Sequence, residues 1–355
     1  MMNVVFIPYY DSNPYQKLLI KSLSKKGVLV STISLAGYYP FSLILKVLCH
    51  WKPQILHVHW LHPFLLSDSW VKAFVKSVFF ISEVVMVKLL GIKIVWTVHN
   101  VLSHDSRFIR LELFFTKIIS RLCSRIIVHG DYVKSKVIEL YGVDHYVIRV
   151  IPHGHYIGYY RNEVSKKQAR ELLGLDEREF VFLYFGMIRP YKGVIELIEA
   201  FKRLKHRGSR LLIVGKPVNK DIAECVLKEC GDDKRVRVVF DFVPDDEVQI
   251  YMNAADIVVL PYRESSTSGS LVLSMSFSKP VIAPSIRSIT EILHPRGGIV
   301  YDPSDKCGLV GAMRQALTSK LSEMGKYNLE IIRNFGWDYI ANETYRVYMD
   351  CLDGG

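Results

Sequence analysis

Short apolar runs alternate with longer amphipathic stretches along this chain. The runs are "NVVFIPYY" (3–10), "QILHVHW" (54–60), "KIVWTVHN" (93–100) and "RIIVHG" (125–130) in the first part. In the second part they are "FVFLYFG" (180–186), "RLLIVG" (210–215), "VRVVF" (236–240), "DIVVLPY" (256–262), "KPVIAP" (279–284) and "GGIVYD" (297–302). They are β-branched and apolar at odd and even positions alike, the pattern of strands buried on both faces. Their alternation with helical stretches predicts parallel sheets and an α/β fold.

The rhythm breaks at "HYIGYYRNEVSKKQARELLGLDER" (155–178), which is polar and carries no strand. It marks a junction between two doubly wound domains, 1–153 and 154–336, expected to face each other across a cleft. The tail "FGWDYIANETYRVYMDCL" (335–352) reads as an amphipathic helix. The helix, at about 337–355, is expected to pack back on the first domain.

In open parallel sheets, ligands lie beyond the carboxyl ends of the strands. The first domain ends its runs in Asp11-Ser12-Asn13, His59, His99-Asn100 and His129-Gly130. The second ends them in Gly186, Gly215, Asp241 and Glu264. One polar exit is ordinary loop chemistry. Agreement among so many points to ligand-binding edges, with Asn13, Gly186 and His153 among the residues expected to line them.

Composition narrows the partners. Apolar residues make up 50% of the 355 and charged residues 23%, so the chain is globular and long enough for two cores. Lys and Arg number 46 against 35 Asp and Glu, a net charge of +11 that favours an anionic partner. Nucleic acid is not expected, because the basic residues are dispersed and no known module is present. The six cysteines show no CxxC spacing, as in a reduced, cytoplasmic protein. The start "MMNVVFIPYYDSNPY" has no signal-peptide pattern, and no charge-free apolar run reaches membrane-spanning length.

Two stretches carry anion-binding chemistry. In "YFGMIRPYKGV" (184–194), a strand ends at Gly186 and a loop with Arg189 and Lys192 leads into a helix. Two cations at a helix start suit a diphosphate. In "YRESSTSGSLVLSMSFSKPVIAP" (262–284), Thr267, Ser268, Gly269 and Ser270 stand at the mouth of an apolar helix. One serine there would be an ordinary N-cap. Four small residues in a row exceed what a cap needs, and their hydroxyls and amides fit phosphate oxygens.

These stretches, with "FVPDDEVQIYMNAADIVVLPYRES" (242–265), "KPVIAP" and "VIPHG" (150–154), resemble the nucleotide-sugar domain of GT-B glycosyltransferases, especially glycosyltransferase family 4. The first domain resembles the family more loosely, through "NPYQKLL", "ILHVHW" and "TVHN". The resemblance implies two Rossmann-like domains and transfer of a sugar from a UDP- or GDP-sugar to a glycan or lipid-linked acceptor. It implies that Arg189 and Lys192 neutralise the donor diphosphate, that Phe242 and Val243 contact the base, and that residues 264–270 hold sugar and phosphate. The family signature E-x7-E is incomplete. Counted from Glu264 its second acid falls on Val272; aligned from "KPVIAP" it falls on Leu273. Glu264 remains the candidate sugar-facing acid, and retaining or inverting stereochemistry stays open.

Histidines supply the remaining candidates. His57 and His59 alternate along a strand and share a face. Without a clearly placed third ligand, paired core or cleft-edge histidines are favoured over zinc. His99 closes a strand, with His104 and Asp105 on the next loop. In some GT-B enzymes a histidine near this point contacts the transferred sugar, and His99 or Asp105 is the candidate general base of an inverting reaction. No D-x-D triplet occurs. Stabilisation of the leaving diphosphate by cations and amides calls for no metal or cofactor. Two other readings share these features: a nucleotide-sugar 2-epimerase, and a non-catalytic subunit that binds a nucleotide sugar or a membrane.

The stretch "WVKAFVKSVFFISEVVMVKLLG" (70–91) is strongly apolar, with Lys72, Lys76 and Lys88 along it. A buried helix with lysines at its edge is favoured over one lying against anionic headgroups. The second reading would place the protein peripherally on the inner face of a membrane.

Overall fold

A computed structural model describes residues 2–34, 42–49, 53–103 and 106–353. The chain forms two compact units, Met1–Gly154 with Gly336–Gly355, and His155–Phe335. In the first, six strands, β1 (Met2–Ile7), β2 (Val28–Thr32), β3 (Ile55–Val58), β4 (Lys93–Val98), β5 (Arg125–Val128) and β6 (Ile148–Val150), build one parallel sheet. Their order is β2-β1-β3-β4-β5-β6. The second sheet contains β7 (Phe180–Phe185), β8 (Ser209–Val214), β9 (Val236–Val239), β10 (Ile257–Val259), β11 (Val281–Pro284) and β12 (Gly298–Tyr301). It is also parallel, in the order β12-β11-β10-β7-β8-β9. This is the doubly wound α/β architecture, with strand order reversing beside β1/β3 and beside β7/β10.

Side-chain alternation explains the runs that were apolar on both parities. Val5 and Ile7 join a core with Leu56, Trp96, Phe80 and Ile119 on one face of the first sheet. Val4 and Phe6 join the opposite core with Leu19, Ile340 and Val347. Helices cover both faces, so neither parity is left to solvent. Two strands carried no clear apolar run in the sequence. β2 and β6 are edge strands, half-exposed and mixed in polarity, and β6 has three residues.

The C-terminal helix Trp337–Asp353 lies in the first unit beside the helix Pro14–Ser24. Lys25 pairs with Asp338 at 3.0 Å, and Arg149 with Asp350 at 3.4 Å. Trp337 needs a residue without a side chain opposite it. A Cβ on Gly154 would lie 2.5 Å from its indole.

The helix Trp70–Leu89 is only half buried. Ala73, Ser77, Phe80, Glu83, Val84 and Val87 face the core. Glu83 is wholly buried, and its Oε1 accepts the amides of Leu43 and Ile44 at 2.7 and 3.2 Å, capping the helix Ser42–Leu48. The outer face is apolar as well. Trp70, Val71, Phe74, Val75 and Val78 are exposed beside Lys72. The favoured expectation of a buried helix with lysines at its edge is therefore corrected: much of the exposed surface here is hydrocarbon. No helix among the described residues is long and apolar enough to cross a membrane.

Candidate active site

In the second unit the two stretches expected to bind anions leave neighbouring strands. The loop 186–193 follows β7 and the loop 260–268 follows β10, the pair at which strand order reverses. Sequence order separates these loops by about seventy residues; the parallel pairing of β7 with β10 places both at one sheet edge.

Glycines make that approach possible. Gly186 has φ +136°, and a Cβ there would lie 2.9 Å from Oγ of Ser270 and 3.5 Å from Nζ of Lys192. The two side chains therefore converge over Gly186. Gly193 has φ +68°, and a Cβ there would lie 1.9 Å from the carbonyl oxygen of Pro261. Any side chain would push the two loops apart. Arg263 ties them from outside: its amide donates to the carbonyl of Tyr191 at 2.8 Å, and its guanidinium pairs with Glu196.

Arg189 precedes the short 3-10 turn Pro190–Lys192, and the helix Val194–Leu204 follows. Nζ of Lys192 stands over the Tyr262 ring, 5.5 Å from its centroid. Tyr262 is buried and was not singled out in the sequence, where it reads as the apolar end of a strand.

The helix mouth divides its labour. The helix is Gly269–Ser276, and Ser268 is its N-cap, accepting the amide of Leu271 at 3.1 Å. Ser268 thus fills the ordinary capping role. Its neighbours do not. The amides of Gly269 and Ser270 occupy the first helical positions, where no intrahelical acceptor exists. Oγ1 of Thr267 is buried without a hydrogen-bond partner among the described residues. Glu264 is exposed on the same loop, and Val272 and Leu273 are both buried in the helix. Phe242 and Val243 follow β9; Phe242 is 62% exposed, unusual for a phenyl ring.

The first unit gathers histidines instead. His59, His99 and His129 follow β3, β4 and β5 directly, and His153 follows β6. Nδ1 of His59 lies 3.2 Å from Nε2 of His99, and Nδ1 of His99 lies 3.4 Å from Nε2 of His129. Tyr15 sits among them, its ring 4.9 Å from that of His99 and 5.0 Å from that of His153. Trp60 stacks on His99 at 4.4 Å. His57 is deeper, held between the Tyr348 hydroxyl at 2.6 Å and Thr97 at 2.7 Å. Burial lowers the pKa of every one: His57 and His153 to about 3, His129 to about 4, His59 and His99 well below the usual value. These rings are neutral near pH 7. Among the described residues no three His, Cys, Asp or Glu side chains are grouped to hold a metal ion.

Asn13 caps the helix Pro14–Ser24, its Oδ1 accepting the amide of Tyr15 at 2.9 Å. Its link to the row is therefore through Tyr15. Asp105 and His104 lie outside the described residues. The sequence placed His59, His99 and His129 alike at strand exits, but did not show the ring-to-ring contacts between them. Those contacts need adjacent parallel strands.

Comparison with known proteins agrees with both halves. Residues 4–155 match the family described as Glycosyltransferase Family 4, and residues 165–332 match Glycosyl transferases group 1. The chain is a glycosyltransferase of the GT-B fold, with a family 4 first domain and a group 1 second domain. One relative is the GDP-mannose:glycolipid 4-beta-D-mannosyltransferase of Xanthomonas campestris pv. campestris, 26% identical over 306 residues, covering 84% of this chain and 80% of that one. A D-inositol 3-phosphate glycosyltransferase of Corynebacterium efficiens is 25% identical over 62% of this chain and 56% of its own length. Among solved structures, sucrose-phosphate synthase from Thermosynechococcus elongatus superposes with a TM-score of 0.80 at 18% identity, covering both chains fully. Anabaena HepE in complex with UDP-glucose gives 0.78 at 18%, again over both full chains.

Proposed function

We propose that this enzyme transfers a sugar from a UDP- or GDP-sugar to a lipid-linked or polysaccharide glycan. The observation that carries the donor assignment is the convergence of Lys192 and Ser270 over Gly186, at the β7/β10 edge. There the diphosphate meets Lys192, Arg189 and the amides of Gly269 and Ser270, with Thr267 adding a hydroxyl. Positive charge and oriented donors in place before reaction stabilise charge as it develops on the leaving diphosphate. These groups supply that charge without calling on a metal. Phe242 and Val243 are assigned to the base, and Glu264 to the sugar. His99 and Asp105 are the proposed proton-handling groups of the acceptor side.

The acceptor class is supported by the exposed hydrocarbon of the first unit. Trp70, Val71, Phe74, Val75 and Val78 are exposed on one helix, and Ile109 and Phe114 on the helix Ile109–Leu122 packed beside it. Lys72 and Arg110 are exposed among them. Aromatic and aliphatic side chains mixed with cations suit an anionic lipid surface. The glycolipid relative is consistent with this reading. On this reading the protein works as a peripheral enzyme at the cytoplasmic face of a membrane.

The test is a donor screen of the purified protein with UDP-, GDP- and ADP-sugars, with and without lipid-linked acceptors. The expected products are free nucleotide diphosphate and an extended glycolipid. Equal turnover of wild type, Arg189→Ala and Lys192→Ala would overturn the donor assignment.

A further inference from the structure

The histidines at the strand exits form an ordered row. Nδ1 of His129 lies 2.9 Å from the carbonyl oxygen of Ile151. A carbonyl only accepts, so this nitrogen carries the proton and Nε2 of the neutral ring is an acceptor. That Nε2 faces Nδ1 of His99 at 3.4 Å, so His99 donates from Nδ1 and accepts at Nε2. Nε2 of His99 in turn faces Nδ1 of His59 at 3.2 Å, so His59 also donates from Nδ1. Its own Nε2 is buried and has no hydrogen-bond partner among the described residues. One backbone carbonyl thus fixes the tautomer of three rings and leaves a single lone pair open at the far end.

Two consequences follow for His99. Both its nitrogens are engaged by other histidines, so neither is open to a substrate hydroxyl. The open acceptor of the row is His59, which was not among the candidate catalytic residues. His59 and His99 also line a cavity of about 20 Å³ together with Asn100, Glu112 and Thr116. That volume holds one water or one hydroxyl group.

We propose that His59, His99 and His129 form one proton relay whose entry is Nε2 of His59, and that the hydroxyl of the acceptor sugar delivers its proton there. This rests on the reading of the first unit as the acceptor side. The hydroxyl O–H bond breaks as an N–H bond forms at Nε2 of His59. The Nδ1 proton of His59 passes to Nε2 of His99, and the Nδ1 proton of His99 passes to Nε2 of His129. The positive charge comes to rest on His129, whose two N–H groups donate to the Ile151 carbonyl and to Nδ1 of His99. The electron pair of the broken O–H bond stays on oxygen, which bonds the anomeric carbon. The bond from that carbon to the diphosphate oxygen breaks, and the diphosphate leaves with its pair. No group is oxidised or reduced. Burial keeps the three rings neutral before the hydroxyl arrives, so the entry lone pair is available near pH 7.

Two measurements test this. Imidazole ¹⁵N spectra of the intact protein at pH 7.5 are expected to show protonated Nδ1 and unprotonated Nε2 on all three rings. A proton on Nε2 of His99 overturns the relay, and this reading needs no activity. The second is His59→Asn, whose side-chain amide reproduces the donor to His99 and lacks the Nε2 acceptor. The expected kcat falls by roughly 10²–10³-fold, as for loss of a proton acceptor, with KM, nucleotide affinity and the His99 tautomer unchanged. A kcat within about threefold of wild type, under the same comparison, overturns it. His129→Asn, which keeps the bond to Ile151 and removes the terminus of the row, is expected to show the same kcat loss should His59→Asn fold poorly. Failure of the wild type to extend any acceptor counts against the proposed function. The tautomer pattern is read separately.

Discussion

The ammonium of Lys192 stands over the ring of Tyr262, 5.5 Å from its centroid, and so joins the loop after β7 to the loop after β10. The Lys192 charge is held at one end by an aromatic face and directed over Gly186, where Ser270 also arrives. Lys192→Ala is expected to lower kcat by roughly 10²–10³-fold, the scale for losing one charge-stabilising donor. Arg189→Ala should do the same. Tyr262→Leu keeps the bulk and loses the ring face, so a smaller fall is expected. Steady-state kinetics, with circular dichroism to confirm the fold, check all three.

Gly193→Ala tests how the loops are held together. The position has φ +68°, and the new methyl group would lie 1.9 Å from the Pro261 carbonyl. Strain of about 1–3 kcal/mol is expected from the backbone alone, and the clash adds to it. Thermal unfolding should show a lowered Tm, and donor affinity should fall with it. An unchanged Tm would mean the loops separate without cost.

Glu264 sits exposed on the loop that leads to the capping Ser268. Assigned to the sugar, it should matter for transfer more than for nucleotide binding. Glu264→Gln is expected to reduce kcat while leaving the Kd for free nucleotide diphosphate near wild type, as calorimetric titration would show. Equal loss of both would move Glu264 to the nucleotide.

The buried histidines make the first unit sensitive to acid. His57, His129 and His153 have folded pKa values lowered to about 3, 4 and 3, below the ordinary 6.5. The unfolded chain therefore binds more protons than the native one between those limits. Stability from these rings is full above pH 6.5 and is lost as pH falls below it, at about 1.4 kcal/mol per unit for each ring. Urea unfolding at pH 7.5, 6.0 and 5.0 should show a steep fall in midpoint. A His57→Gln variant, if it folds, should show a shallower one.

The apolar face offers a test of membrane docking. Trp70 and Phe74 stack at 5.4 Å and are exposed to solvent, 51% and 39%. Burial of one such ring is worth about 1.5–3 kcal/mol, so Trp70→Ser with Phe74→Ser should weaken binding to anionic vesicles at least tenfold. Flotation with phosphatidylglycerol-containing and neutral vesicles reads this directly. Turnover on a short, water-soluble acceptor should stay near wild type, since neither residue belongs to the donor or histidine groups.

The two-sheet α/β plan was legible in the sequence, because strands buried on both faces are apolar on both parities. So was the cationic, glycine-bounded character of the loop after β7, since Gly186, Arg189 and Lys192 lie within seven residues. The edge strands β2 and β6 were not, because half-exposed strands tolerate mixed polarity. Within the helix mouth, the sequence could not separate the capping Ser268 from Thr267 and Ser270, since all three are small and hydroxylated. What meets across the sheets follows from strand order. Lys192 finds Tyr262 because β7 pairs with β10, and His59, His99 and His129 form a row because β3, β4 and β5 lie side by side. Periodicity along a chain reports which face a residue takes. The neighbour it meets is set by strand order, which local sequence does not encode.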